Sequence, residues 1–268
     1  DTMKSLAIRA HQKNLELAFC IHPNVPRRVV GDYNRLRQIV INLVGNAIKF
    51  TEQGEVVLEV TAQSVADDDV VLQFVVRDTG IGIPADKVAL VFEAFTQADA
   101  STTRKFGGTG LGLTISSRLV SLMGGKVHVE SELGKGTRVQ FAVRFQRATA
   151  GPKTMTPGQA VYVQGTAVLI VDDNATNRLI LEEMTRNWDM LPTAVSNATD
   201  AFRVLQEASR SGTPYPLVLS DVNMPNVDGF ELVQWIRQDP DLAQTRIILS
   251  TSGARPQATR RAERLAAA

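Results

Sequence analysis

Along residues 34–51 the apolar positions Leu36, Ile39, Val40, Leu43 and Ala47 keep the spacing of one helical face, which predicts an amphipathic helix. Beside that face run Arg35, Gln38, Asn42, Asn46 and Lys49. Asn42 and Asn46 are four residues apart, so their carboxamides point the same way, one turn apart. Amides beside a core need partners, because an unpaired buried amide costs roughly 1–3 kcal/mol. For this helix alone, bonds to neighbouring loops would be explanation enough. Upstream, Met3, Leu6, Ala7, Ala10 and Leu15 mark the end of a longer helix over residues 2–15 with weak start signals. An extended piece, Leu17 to Ile21, and the turn-rich His22-Pro-Asn-Val-Pro26 follow. Beyond Gly54, residues 56–62 and 70–77 alternate or run apolar around Ala66-Asp-Asp-Asp69, which predicts a hairpin. A helix running to about Met123 and strands around 126–130 and 137–145 complete a two-layer α/β sandwich.

The pattern then changes. Residues 148–165, rich in Gly, Pro, Thr and Ala, have linker composition. Past them, apolar strands at 168–171, 193–195, 216–220 and 246–250 alternate with helices at 175–187, 199–210 and 228–238. Nearly continuous apolar strands between helices predict a parallel sheet covered on both faces. Sites in such sheets gather at the carboxyl ends of strands.

A length of 268 residues suits two domains. The formal net charge of +1 and the lack of a dense Lys/Arg patch argue against nucleic-acid binding by bulk electrostatics. The apolar runs are strand-sized and no signal peptide opens the chain. Cys20, the one cysteine, reads as a small buried hydrophobe in a reducing compartment. His11, His22 and His128 show no metal spacing.

The candidate chemistry of the first half lies in three further stretches. Asp78-Thr-Gly80-Ile-Gly82-Ile83-Pro84 follows a strand; its glycines let backbone approach a flat ligand while the carboxylate accepts from an amine. Phe92-Glu-Ala-Phe95 reads as a short helix with two core anchors. Residues 102–113 hold four glycines in the six positions 107–112, behind Arg104 and Lys105. Glycine backbone feeding a helix N-terminus can cradle an anion. The even spacing of Gly108, Gly110 and Gly112 fits neither a dinucleotide fingerprint nor a Walker loop.

In this order, the stretches resemble the catalytic ATP-binding domain of the histidine kinases, within the gyrase, heat-shock-90, histidine-kinase and MutL superfamily. Its fold would be a Bergerat-type sandwich spanning residues 16–147, with residues 1–15 as the end of a dimerisation helix. The resemblance implies ATP and Mg²⁺ as cofactors. Asn42 and Asn46 would hold the ion, and Lys49 and Arg104 would meet phosphate. Phe50, Ile83 and Phe95 would flank the nucleotide, and Asp78 would accept the adenine amine. Gly80 and Gly82 would allow close approach, and Thr137 would support the carboxylate. Gly108, Thr109, Gly110, Leu111 and Gly112 would form the glycine lid. ATP-hydrolysing relatives carry a glutamate where this chain has Asn42. An amide cannot take a proton from water, whereas neutral imidazole is already nucleophilic near pH 7. Histidine is therefore the implied phosphoryl acceptor. No histidine followed by an acidic residue occurs here, since Gln12 follows His11, so the acceptor is expected on a dimerisation domain outside the chain. The rival readings are an ATPase of the same superfamily and a nucleotide-binding pseudokinase.

Residues 166–268 resemble the receiver domain of response regulators. Asp172-Asp173 ends one predicted strand, Asp221-Val-Asn223-Met-Pro225 another, and Thr251 a third. Clustered carboxylates repel unless a cation joins them, and oxygen ligands suit Mg²⁺. By resemblance Asp221 is the phosphoacceptor, Asp172, Asp173, Asp221 and Asn223 hold Mg²⁺, and Thr251 is the switch hydroxyl. A receiver's fifth strand and its lysine are missing, since no lysine follows Lys153. The expectation is an incomplete doubly wound, flavodoxin-like parallel sheet, cut before its fifth strand, with weak or absent labelling of Asp221. The whole reads as the core of a hybrid sensor kinase, cytoplasmic within a parent that can be membrane-tethered and homodimeric. It would pass phosphoryl groups to a downstream phosphotransfer or response-regulator protein.

Overall fold

A computed structural model describes residues 2–66, 68–88, 90–92, 112–148 and 163–250. The chain divides into two compact units, Asp1–Thr154 and Met155–Ala268.

The first unit runs α1 (Thr2–Gln12), β1 (Glu16–Ile21), β2 (Val29–Val30), α2 (Tyr33–Phe50), β3 (Glu55–Val65) and β4 (Asp69–Asp78). After a 3₁₀ turn at Leu90–Phe92 come α3 (Gly112–Leu122), β5 (Val127–Glu132) and β6 (Gly136–Arg147). The sheet order is β1-β3-β4-β6-β2, with β5 also on β6. Only β1 with β3 is parallel; the other described pairs are antiparallel. One face of the sheet is covered by helices. Leu6 and Ala10 of α1, Ile39, Leu43 and Ile48 of α2, and Val120 of α3 are buried with Val56, Leu58, Leu72, Val76 and Val143. Phe74 and Phe141 stack beneath them, ring centroids 4.9 Å apart. The apolar stripe that predicted α2 is thus the one this core buries. Asp32 caps its start, accepting from the Arg35 N–H at 3.0 Å. At its end both the N–H and the hydroxyl of Thr51 bond Ala47 O.

The sandwich agrees with the sequence expectation, but β2 does not appear in it. Two residues are too few to show a period, and only the Val29–Arg147 and Val30–Gln146 pairs make them a strand.

The second unit runs β7 (Ala167–Val171), α4 (Ala175–Arg186), β8 (Leu191–Val195), α5 (Ala198–Arg210), β9 (Leu217–Asp221), α6 (Gly229–Gln238) and β10 (Arg246–Ser250). All described strand pairs are parallel, in the order β10-β9-β7-β8. Ala198, Ala201 and Leu205 of α5 and Leu232 and Ile236 of α6 bury one face with Leu169, Val171 and Val218. Val168 and Ile170, equally buried, point to the other face. Asn174, Asn197 and Asp228 cap the three helices. The order reverses between β7 and β9, and a crevice at the carboxyl ends of these strands follows from that reversal.

Candidate functional site

In the first unit the end of β4 is held from both sides. Asp78 Oδ1 accepts from the N–H of Gly80 at 2.9 Å and of Thr137 at 3.2 Å. Its other oxygen has no partner among the described residues, so one acceptor stays available. Burial pushes this carboxyl above its ordinary range, and the two N–H donors pull it back. A Cβ on Gly80 would stand 2.5 Å from Phe50 O; on Gly82, at φ +69°, it would stand 2.0 Å from Glu132 O. The loop between them is tied down by Ile81 N–H to Phe50 O at 3.2 Å, Gly134 N–H to Ile81 O at 2.8 Å, and Ile83 N–H to Ser131 Oγ at 2.7 Å. Thr137 pairs with Asp78 across β4 and β6, and Ile83 packs partly buried against the core.

Asn42 and Asn46 face the start of α3. The Asn42 amide lies 3.4 Å from both Gly112 O and Ser116 Oγ, and Ser116 Oγ donates to Gly112 O at 2.9 Å. A Cβ on Gly112 would lie 3.7 Å from the Asn46 amide nitrogen. Neither carboxamide oxygen has a partner among the described residues. Two hard oxygens one turn apart on α2, together with an available carboxylate oxygen and a close-packed glycine loop after β4, fit an adenine nucleotide with its divalent ion. The Lys49 amine sits 4.8 Å over the Phe50 ring, and burial lowers its pKa. Phe95, Arg104, Gly108, Thr109, Gly110 and Leu111 lie outside the described residues, as does Thr251.

In the second unit Asp172, 3% exposed, immediately follows β7, and Asp221, 9% exposed, ends β9. Both strands flank the point where the sheet order reverses. Asp172 Oδ1 accepts from the Asn174 N–H and Asp221 Oδ2 from the Asn223 N–H, each at 2.9 Å. Burial raises the Asp221 carboxyl, backbone donors at Asn223 and Val222 lower it, and the Asp173 charge raises it further. The Asp173 charge is thus felt at Asp221, and these carboxylates form a donor set suited to Mg²⁺. Gly229 belongs to this geometry, because a Cβ there would meet Asp221 O at 2.3 Å.

Residues 31–147 match the family model of the histidine kinase-, DNA gyrase B- and HSP90-like ATPases, and residues 168–268 match that of the response regulator receiver domain. The chain unites these two families. Its ATPase-type domain comes first and its receiver second. The autoinducer 2 sensor kinase/phosphatase LuxQ of Vibrio cholerae is 36% identical over 235 residues, covering 85% of this chain and 26% of that protein. The sensory/regulatory protein RpfC of Xanthomonas campestris is 31% identical over 97% of this chain and 39% of its own length. The chain thus spans well under half of these relatives. The crystal structure of full-length ShkA in complex with AMPPNP superposes with a TM-score of 0.63 at 29% identity, covering 99% of this chain and 54% of that one.

Several residues of the ATPase-type domain and the receiver escaped sequence reasoning. Lys13 Nζ donates to Ile48 O, Lys49 O and Thr51 O at 2.7, 2.9 and 2.7 Å, closing the end of α2 that carries Lys49 and Phe50. Ser116 reads in sequence as an ordinary helix residue, and Ser131 as an ordinary strand residue. Arg178 of the receiver donates to Asp172 O at 2.7 Å and Asp173 O at 2.9 Å. Among the described residues no helix is long and apolar enough to cross a membrane.

Proposed function

We propose that residues 16–147 bind Mg·ATP and transfer its γ-phosphoryl to a histidine on a dimerisation domain. Residues 1–15 close that domain's second helix, 148–165 are a linker, and 166–268 are the receiver. The observation that carries this reading is Asn42: an amide, with no carboxylate in its place, lies beside Gly112 with its oxygen unclaimed among the described residues. Such a group can hold a cation but cannot deprotonate water, which favours an acceptor already nucleophilic at neutral pH.

Asp78 and Thr137 hold the adenine end, with Gly80 and Gly82 giving close approach and Phe50, Ile83 and Phe95 flanking. Asn42 and Asn46 hold Mg²⁺, which when bound supplies charge neutralisation at the phosphates. Lys49, Arg104 and the stretch from Gly108 to Gly112 enclose the phosphate end. These residues bind, orient and exclude water, and catalysis is mostly placement. In the receiver, Asp172, Asp173 and Asn223 hold a second Mg²⁺. In the complete protein an Asp221 oxygen would attack the phosphohistidine phosphorus, the P–O bond forming as P–N breaks and the imidazole leaving with the bonding pair. Thr251 meets the transferred group. The parent acts as a homodimer and hands the phosphoryl group on to a phosphotransfer or response-regulator protein.

Mixing the chain with a histidine-bearing dimerisation domain and γ-labelled ATP tests the kinase assignment. Label on the partner that is acid-labile and base-stable is expected. Nucleotide binding without transfer, or steady phosphate release instead, would overturn it.

A further inference from the structure

Ser131 sits at the middle of a hydrogen-bond junction outside the residues assigned above. Its hydroxyl accepts from the Ile83 N–H at 2.7 Å, lies 3.0 Å from Gly136 O, and lies 2.9 Å from Thr137 Oγ1. A proton count decides how these contacts are shared. Ser131 has one proton and two lone pairs. The Ile83 N–H can only donate, and Gly136 O can only accept. The one arrangement that satisfies all three contacts sends the Ser131 proton to Gly136 O and takes a proton from Thr137. In the other, Ser131 donates to Thr137 and leaves two oxygens 3.0 Å apart with no proton between them. The first therefore holds, and Thr137 spends its only proton on Ser131.

Thr137 then offers lone pairs alone. It stands opposite Asp78 in register, whose free oxygen is also an acceptor when ionised. Among the described side chains, this pair presents acceptors only. At its 6-substituent a 6-amino purine brings two protons to such an edge, whereas a 6-oxo purine brings only lone pairs there and is repelled. We infer that Ser131 is a positioning residue that fixes the donor–acceptor polarity of Thr137 and so selects a 6-amino over a 6-oxo purine nucleotide, while its bond to Ile83 ties the Gly80–Gly82 loop to the β5–β6 hairpin. This rests on the nucleotide reading of the site and deepens it.

Calorimetric titration of the chain with ADP and with IDP, each with Mg²⁺, tests the inference, with thermal melting as a check on folding. Wild type is expected to prefer ADP. Ser131→Ala frees the Thr137 proton to donate, and its ADP:IDP affinity ratio is expected to fall about tenfold. Ser131→Thr, which keeps the hydroxyl, is expected to retain the ratio. A purely structural role would weaken both nucleotides together, so an unchanged ratio in Ser131→Ala overturns the inference whether or not both affinities drop. If Ser131→Ala melts too low to titrate, Thr137→Val carries the test: lacking the accepting hydroxyl, it must show a reduced ratio, and an unaltered one is a refutation. Wild-type chain that binds neither nucleotide sinks the site reading together with the inference. Wild type that prefers ADP while the variants keep the preference sinks the inference alone.

Discussion

Asp78 shows what a binding carboxylate costs the fold. Burial raises its pKa above the ordinary 3.8, so between that value and the raised one the folded chain holds more protons than the unfolded chain. The stability it contributes is full below 3.8 and is lost as pH rises through the raised value. Asp78→Asn keeps an oxygen for the Gly80 and Thr137 N–H groups and removes the buried charge. The expected result at pH 7 is a Tm equal to wild type or a few degrees higher, with ADP affinity down about 100-fold. Paired melting and titration check this, and a strongly lowered Tm would contradict it. Asp221 obeys the same sign, with the Asp173 charge adding to burial. In the receiver, Mg²⁺ is expected to raise Tm at pH 7 and to do so less at pH 5, where protons compete with the cation for the carboxylates. Calorimetry with Mg²⁺ or chelator at the two pH values reads the difference. Asp221→Asn should raise the metal-free Tm.

At the scale of the element, α2 is fastened at both ends by groups outside its periodic face. Asp32 accepts at its start, and Lys13 closes three carbonyls at its end. These carbonyls lie at the negative pole of the helix, where a cation is favoured. Lys13→Met keeps the aliphatic stem and removes the donor. A loss of about 1–2 kcal/mol is expected, about 2–4 °C of Tm per kcal/mol for a unit of this size. Nucleotide affinity should fall with it, because Lys49 and Phe50 ride on that last turn. An unchanged melt would show the clamp to be energetically idle. The loop after β4 is fastened differently, by lack of room. Gly82→Ala would need a strained φ and would drive a Cβ into Glu132 O, so a loss of Tm and of ADP binding together is expected, measured by melting and titration.

At the scale of the whole molecule, each unit has its own buried cluster, one spanning Leu6 to Phe145 and one spanning Leu169 to Leu242. Residues 1–154 expressed alone are therefore expected to fold and to bind ADP within about threefold of the full chain, a margin of well under 1 kcal/mol. A collapsed melt for that piece would show that its core is not self-sufficient.

The sequence by itself determined the elements whose hydrophobic period is long enough to read. Leu36 to Ala47 declared α2, the paired apolar runs declared β3 and β4, and the alternation past residue 166 declared the parallel sheet. It also declared the motifs whose chemistry is local: the amide pair at 42 and 46, the carboxylate and glycines at 78–82, and the acids ending β7 and β9. A period is a property of neighbours along the chain, and so are these spacings. Tertiary structure alone decided the rest. Val29–Val30 is a strand only because Arg147 and Gln146 lie beside it. Lys13 matters because a fold brings it to carbonyls 35 to 38 positions away. Ser131 matters because one hydroxyl meets Ile83, 48 residues distant, and Thr137 at once. Such contacts leave no mark in the local pattern, because a lysine in a loop and a serine on a strand are ordinary in either setting until the chain closes around them.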